Sequence, residues 1–368
     1  MRVLFLKADP ITAEVRIIPL LDALSAAGRI EGYAVVNRDM ALERGRLSNY
    51  HAVLTHRNPS GRQIAWLRKN ATRFVYDIDD LLTSAAFALT RKKKHDLEKM
   101  KWCIANAYRI TSPSMRLLTV ILTQLSLSLE TRGIILPNSG QETIPKPKPA
   151  SKPRLLWVSS DTPRFSPGEF DEICRGIVSG VRETGIESLL LGRFPEKIRS
   201  ALGAQEQIPW MPFDSYRRLL ANQSLIAVAP LSIDLPIDEQ IATECKSDVK
   251  VAEFGSSRID AAYSPATPYT ETELPCTIVP QNTFCDWRNA VLQLVGNFPE
   301  AGNRLGEDKA FTARRPSVIA LRLLDCLEAA RINVPVRYRA IATPRLGRIL
   351  ERRVRKLRLR VTGFWAAR

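Results

Sequence analysis

Leu225-Ile226-Ala227-Val228-Ala229-Pro230-Leu231 opens a stretch that continues, after an acidic loop, as Cys245-Lys246-Ser247-Asp248-Val249-Lys250-Val251-Ala252-Glu253-Phe254-Gly255 and closes on Ala261-Ala262-Tyr263-Ser264. The first run is short, apolar and stopped by proline, which is the signature of a buried strand, and the last reads the same way. A helical crossover between two such strands is the repeating unit of a parallel α/β sheet. On a continuous helix Lys246, Lys250 and Glu253 stand at i, i+4 and i+7, so two cations and a carboxylate share one face.

The same alternation extends in both directions. Val3 to Leu6, Tyr33 to Val36, Ala52 to Thr55, Phe74 to Asp77, Arg109 to Thr111 and Ile134 to Leu136 read as strands. Between them Ile17, Leu20, Leu21 and Leu24, and later Leu97, Met100, Ile104 and Ala107, recur at helical spacing. A second series holds Leu155 to Val158, Ser188 to Leu191, Leu225 to Ala229, Ala261 to Ser264 and Thr277 to Val279. Pro145, Lys146, Pro147, Lys148, Pro149, Lys152 and Pro153 separate the two series with a stiff segment unsuited to a helix or a central strand. The expected organisation is a Rossmann-like domain over 1–140, a linker over 141–153, a second such domain over 154–334 and a basic tail over 335–368.

Composition narrows the function classes. The chain has 368 residues, 45% of them apolar and 25% charged, which suits two globular domains. The formal charge of +16 suggests nucleic acid until its position is read. Pro335 to Arg368 holds eleven Arg or Lys against the single acid Glu351, so the excess belongs to a tail and a nucleic-acid face is not expected. Six scattered cysteines without a Cys-x-x-Cys pair fit a reducing compartment and give no metal-ligand spacing. No Gly-x-Gly-x-x-Gly follows Val3 to Leu6 and no Walker-type loop occurs, so nicotinamide enzymes and P-loop ATPases lack support. Met1 is followed by a β-type run rather than an n-region and h-region, and no apolar run reaches the roughly 20 residues needed to span a bilayer. A cytoplasmic protein is therefore expected.

Parallel sheets bind ligands at the carboxyl ends of their strands, so residues there are the candidates for chemistry. A helix start carrying lysines suits a diphosphate, because unpaired N–H groups and the dipole favour negative charge. Lys246, Ser247 and Lys250 are the candidate anion ligands, and Glu253 is placed to accept ribose hydroxyls. A solvated helix with an ordinary Lys to Glu pairing explains the same residues. Ser160 and Asp161, after the strand ending in Val158, are weaker candidates for a phosphate cradle, with a simple Ser or Asx turn as the alternative. In the first half Asp77-Ile78-Asp79-Asp80 crowds three carboxylates at a strand end, where they raise one another's pKa, bind a cation, orient a hydroxyl or merely cap the following helix. His56 and Arg57 follow a strand into the same region, and a loop salt bridge is the common fate of such an arginine.

The order of Ile226 to Pro230, Lys246-Ser247-Asp248, Lys250-Val251-Ala252-Glu253-Phe254-Gly255 and Ala261 to Ser264 resembles the donor domain of group 1 glycosyltransferases. Asp77-Ile78-Asp79-Asp80 after Tyr76 is similar to the Tyr-Asp-x-Asp-Asp element of bacterial surface-polysaccharide members of that family. The resemblance implies a GT-B fold, two Rossmann-like domains facing a cleft. It implies sugar transfer, with retained anomeric configuration, from a nucleoside-diphosphate sugar to a hydroxyl of a glycan or lipid-linked glycan. The nucleotide sugar is then a co-substrate, and neither a cofactor nor a metal is implied. Lys246 is implied to contact the diphosphate, Glu253 to hold the ribose, and Asp79 or Asp80 to act on the acceptor side. The sequence departs from the family where a first glutamate is often found, eight residues before Glu253, since Cys245 stands there. A donor-binding protein without transfer activity is the rival reading.

In the tail, Leu346, Ile349, Leu350, Val354, Leu357 and Val361 recur near helical period among arginines, with Phe364-Trp365 at the end. That pattern predicts a basic amphipathic helix over 345–365 lying on an anionic membrane surface. A helix packed on the first domain and a disordered tail are the alternatives.

Overall fold

A computed structural model describes residues 1–38, 50–70, 73–82, 91–125, 132–143, 145, 152–159, 165–202, 206–208 and 211–331. The predicted tail helix over 345–365 and the candidates Ser160 and Asp161 lie outside the described residues.

The described strands form two six-stranded sheets, parallel throughout. The first holds β1 (Arg2–Lys7), β2 (Gly32–Asn37), β3 (Ala52–His56), β4 (Val75–Asp77), β5 (Arg109–Ser112) and β6 (Gly133–Ile135), in the order β2-β1-β3-β4-β5-β6. The second holds β7 (Arg154–Ser159), β8 (Ser188–Gly192), β9 (Glu206–Ile208), β10 (Leu225–Ala229), β11 (Ala261–Tyr263) and β12 (Thr277–Ile278), in the order β12-β11-β10-β7-β8-β9. Each sheet therefore reverses its winding once, between β1 and β3 in the first and between β7 and β10 in the second. Such a switch point opens a crevice beyond the strand ends.

Buried side chains cover both faces of both sheets. Leu20, Leu21 and Leu24 of the helix Ile18–Ala26 bury against Val3, Phe5, Ala52 and Leu54, as their spacing predicts. The helix Pro316–Ala329 follows the second sheet in sequence yet packs Ile319, Leu323 and Leu327 into that same first-sheet cluster. The chain thus crosses between sheets twice, and both crossings meet the helix Val249–Ser256. On the outward crossing Gln141 donates its N–H to Ser256 Oγ at 2.9 Å, and a Cβ on Gly140 would stand only 2.5 Å from that oxygen. On the return, Arg314 reaches the Asn138 carbonyl at 3.3 Å and Asp248 at 2.9 Å.

One glycine is fixed by space as well as backbone. Gly192 ends β8 at φ +114°, and a Cβ there would fall 1.6 Å from the Ser159 carbonyl oxygen. Gly192→Ala is expected to destabilise the second domain by at least about 1–3 kcal/mol, read as a lower urea midpoint, because β7 must move to admit it.

Candidate functional site

At the first switch point, His56 ends β3 completely buried, its ring 5.2 Å from that of Phe5 and facing the backbone of Ala8 and Asp9 just past β1. Burial pushes its pKa below the ordinary value, against the pull of Asp77 and Asp79, so the imidazole is neutral. Arg57 follows in a left-handed conformation at φ +48°, a costly backbone held by two contacts. Its N–H donates to the Asp77 carbonyl at 3.0 Å and its own carbonyl accepts from the Tyr76 hydroxyl.

The three carboxylates after β4 do not act as one crowded cluster. Asp77 is turned inward and bound twice by Arg16, each contact 2.9 Å, with Thr111 donating at 2.6 Å. Asp79 is clamped by Arg57 at 2.6 and 3.1 Å. Burial alone would raise its pKa, but the Arg57 guanidinium outweighs that and holds the carboxyl below its usual range. Asp77 is paired with Arg16, whereas Asp79 and Asp80 share Arg57, which meets the salt bridge expected of it. Asp80 is the most accessible of the three and lies 3.9 Å from Arg57, with its Oδ1 accepting from the Leu81 N–H at 2.9 Å.

The second half of the site departs from the sequence expectation in one respect. The helix Ile237–Glu244 ends before the lysines, Lys246 donates its N–H back to the Thr243 carbonyl at 3.1 Å, and a new helix begins at Val249. Lys246 and Ser247 sit in the turn between, so the i, i+4, i+7 face is not one helix. The three side chains still converge. Lys250 lays its ammonium on the Val158 carbonyl of β7 at 2.6 Å, directly at the β7/β10 switch point, and Lys246 is close enough for its charge to act on it. Glu253, one turn on, accepts from the Tyr216 hydroxyl at 3.1 Å rather than pairing with Lys250.

Burial sets the chemistry of this group. It pushes the Lys250 ammonium down to about 8, with Lys246 adding to the shift and Glu253 opposing it. It pushes the Glu253 carboxyl up, opposed by Lys250, the Tyr216 hydrogen bond and Arg217. Lys246 itself is exposed. Tyr216 and Arg217, from the helix Phe213–Asn222, carry no pattern in the sequence that marks them. Beyond β10 and β11 a polar floor closes the site: Ser264 accepts from the Leu231 N–H and donates to Asn282, each at 2.8 Å, and Asn282 donates to Glu169 at 2.6 Å.

The two carboxyl edges face one another. Arg116, past β5, pairs with Glu244, past β10. Cys245 is fully buried in the apolar cluster of the first sheet together with Ile241 and Ala242, and Asp80 is among the charges that act on it. Burial pushes its thiol up to about 12, so Cys245 is a neutral packing residue. Among the described residues no group of three or more His, Cys, Asp or Glu side chains is arranged to hold a metal.

Neither a protein-family model nor a curated protein sequence matches this chain. Solved structures do. HepE of Anabaena, in complex with UDP and glucose, superposes with a TM-score of 0.58 at 11% identity over 89% of this chain and 100% of its own. WaaG, a glycosyltransferase of lipopolysaccharide biosynthesis, gives 0.57 at 11% identity over 88% and 99%. A mutant of TarM from S. aureus, in complex with UDP, gives 0.51 at 12% identity; the match covers 75% of this chain but only 55% of TarM. The chain has the GT-B fold. In this GT-B frame the β1/β3 and β7/β10 switch points form the opposite walls of one cleft, with Asp80 and Cys245 where the walls meet.

Proposed function

We propose that the protein is a glycosyltransferase that moves a sugar from a nucleoside-diphosphate donor, held at the second edge, to a hydroxyl held at the first. The observation that carries this reading is the convergence of Lys246, Lys250 and Glu253 on the β7/β10 switch point. Negative charge grows on the leaving diphosphate as the bond to the anomeric carbon breaks, and cations already in place there stabilise it without reorganisation. Ser247 lies beside Lys246 in the turn before the helix Val249–Ser256, and Ser160 and Asp161, which follow β7 in the sequence, are proposed as further ligands of the diphosphate. Glu253 receives the ribose. On the opposite wall Arg57 fixes Asp79, and the more accessible Asp80 orients the acceptor hydroxyl. The anomeric configuration is retained, and the chemistry uses no metal or other cofactor.

A glycan or lipid-linked glycan of surface polysaccharide synthesis is the proposed acceptor. Exposed apolar side chains on both walls support it: Ile11 beyond β1, Met115 beyond β5, Ile233 and Ile237 beyond β10. The basic segment 345–365 would dock the protein on the inner membrane face. No helix among the described residues is long and apolar enough to cross a membrane. One observation favours donor binding without transfer: Cys245 occupies the place of a family glutamate and is fully buried in the apolar cluster of the first sheet, so no carboxylate stands there.

Thermal-shift screening against UDP, GDP and their sugars tests the reading, followed by release of nucleoside diphosphate in the presence of membrane glycolipid extracts. Lys246→Ala and Glu253→Ala should each remove most of the nucleotide-induced shift. Undiminished shifts in both variants would place the donor elsewhere, and binding without release over every acceptor would leave the non-catalytic reading.

A further inference from the structure

Arg217 stands next to the tyrosine that holds Glu253, and its guanidinium lies over the Phe213 ring at 4.5 Å. It is partly buried, and burial pushes its pKa below the ordinary value. The charges of Glu253, Asp214, Asp22 and Glu142 all act on it, yet among the described residues no carboxylate forms an ion pair with it. Three sheltered arginines are matched by an acid, Arg16 by Asp77, Arg57 by Asp79 and Arg314 by Asp248, whereas Arg258 spends its guanidinium on the Pro145 and Asn303 carbonyls. A guanidinium held out of bulk water without a matched acid keeps donors for an arriving anion. Lys250 and Arg217 both act on Glu253, which spends its carboxylate on the Tyr216 hydroxyl and forms an ion pair with neither.

We propose that Arg217 is a third phosphate-binding cation of the donor site, its planar fork donating to oxygens of the nucleoside diphosphate whose ribose Glu253 holds. The inference rests on the donor reading above. Stacking on Phe213 orients the fork, and partial burial spares the contact from salt screening.

Calorimetric titration of the full chain with UDP, inorganic pyrophosphate and uridine tests it. Arg217→Ala should weaken UDP and pyrophosphate by about tenfold or more, the worth of a charge-assisted hydrogen bond, and leave uridine unchanged. If that variant does not fold, Arg217→Lys is read instead: a smaller loss for both phosphate ligands, again without effect on uridine, supports the assignment. Wild-type-like affinity for UDP and pyrophosphate in the folded variant overturns it, and so does an equal loss for uridine. Wild-type protein that binds none of UDP, GDP and pyrophosphate overturns the donor reading along with it.

Discussion

Arg16→Ala is expected to lower the stability of the protein by about 3–5 kcal/mol, the cost of leaving one member of a buried ion pair alone. The Arg16 and Asp77 side chains are 2% and 0% exposed. Arg16 spends its guanidinium on both oxygens of Asp77 and on Asn138 Oδ1 at 3.0 Å, so it joins β4 to the segment that leaves the first sheet. Without it Asp77 keeps only the 2.6 Å bond from Thr111. The double variant Arg16→Met, Asp77→Leu removes both charges and should lose far less than either single change. Urea unfolding of the three variants measures this. An Arg16→Ala midpoint close to wild type would mean that water reaches the Asp77 carboxylate.

That pair also shows where sequence reading stops. The strands were legible because apolar runs cut by proline, glycine or acids have few alternatives: Leu225 to Ala229 is a strand to the residue, and the others shift by a residue or two at their ends. β9 escaped notice because Glu206-Gln207-Ile208 is a short, polar edge strand with no alternation. Asp77 to Asp80 was visibly a carboxylate-rich strand end. Its partition was not visible, because Arg16 and Arg57 arrive from 61 and 22 residues away and no local spacing records them. The lysine to glutamate element was legible as a group, although its regular spacing concealed a break. Asp248 spends its carboxylate on Thr272 and Arg314, and the helix restarts behind it. Tyr216 and Arg217 have no signal of their own, since a tyrosine and an arginine on an amphipathic helix are commonplace.

Lys250→Met should weaken UDP binding about a hundredfold at neutral pH, a loss in the range of a charged hydrogen bond that burial protects from screening. The wild-type pH profile gives the same group a second, independent signature. Above about pH 7 a terminal phosphate is fully ionised, so changes beyond that point report the protein. Lys250 in the unliganded protein titrates at about 8, below the ordinary 10.5, because burial disfavours its charge. A bound diphosphate favours the charged form and raises that value again. Affinity should therefore be full below about pH 8 and fall as pH rises through it, by up to about tenfold per unit. Stability of the unliganded protein must move the other way. Between about 8 and 10.5 the unfolded chain binds the proton that the folded chain has lost, so this group's contribution rises with pH. Lys250→Met should flatten both slopes, leaving weak binding and no opposed trend. A wild-type UDP affinity that stays level from pH 7 to well above 8 would mean the buried ammonium never meets the diphosphate, because a lysine so placed cannot take up a proton on binding without leaving that trace.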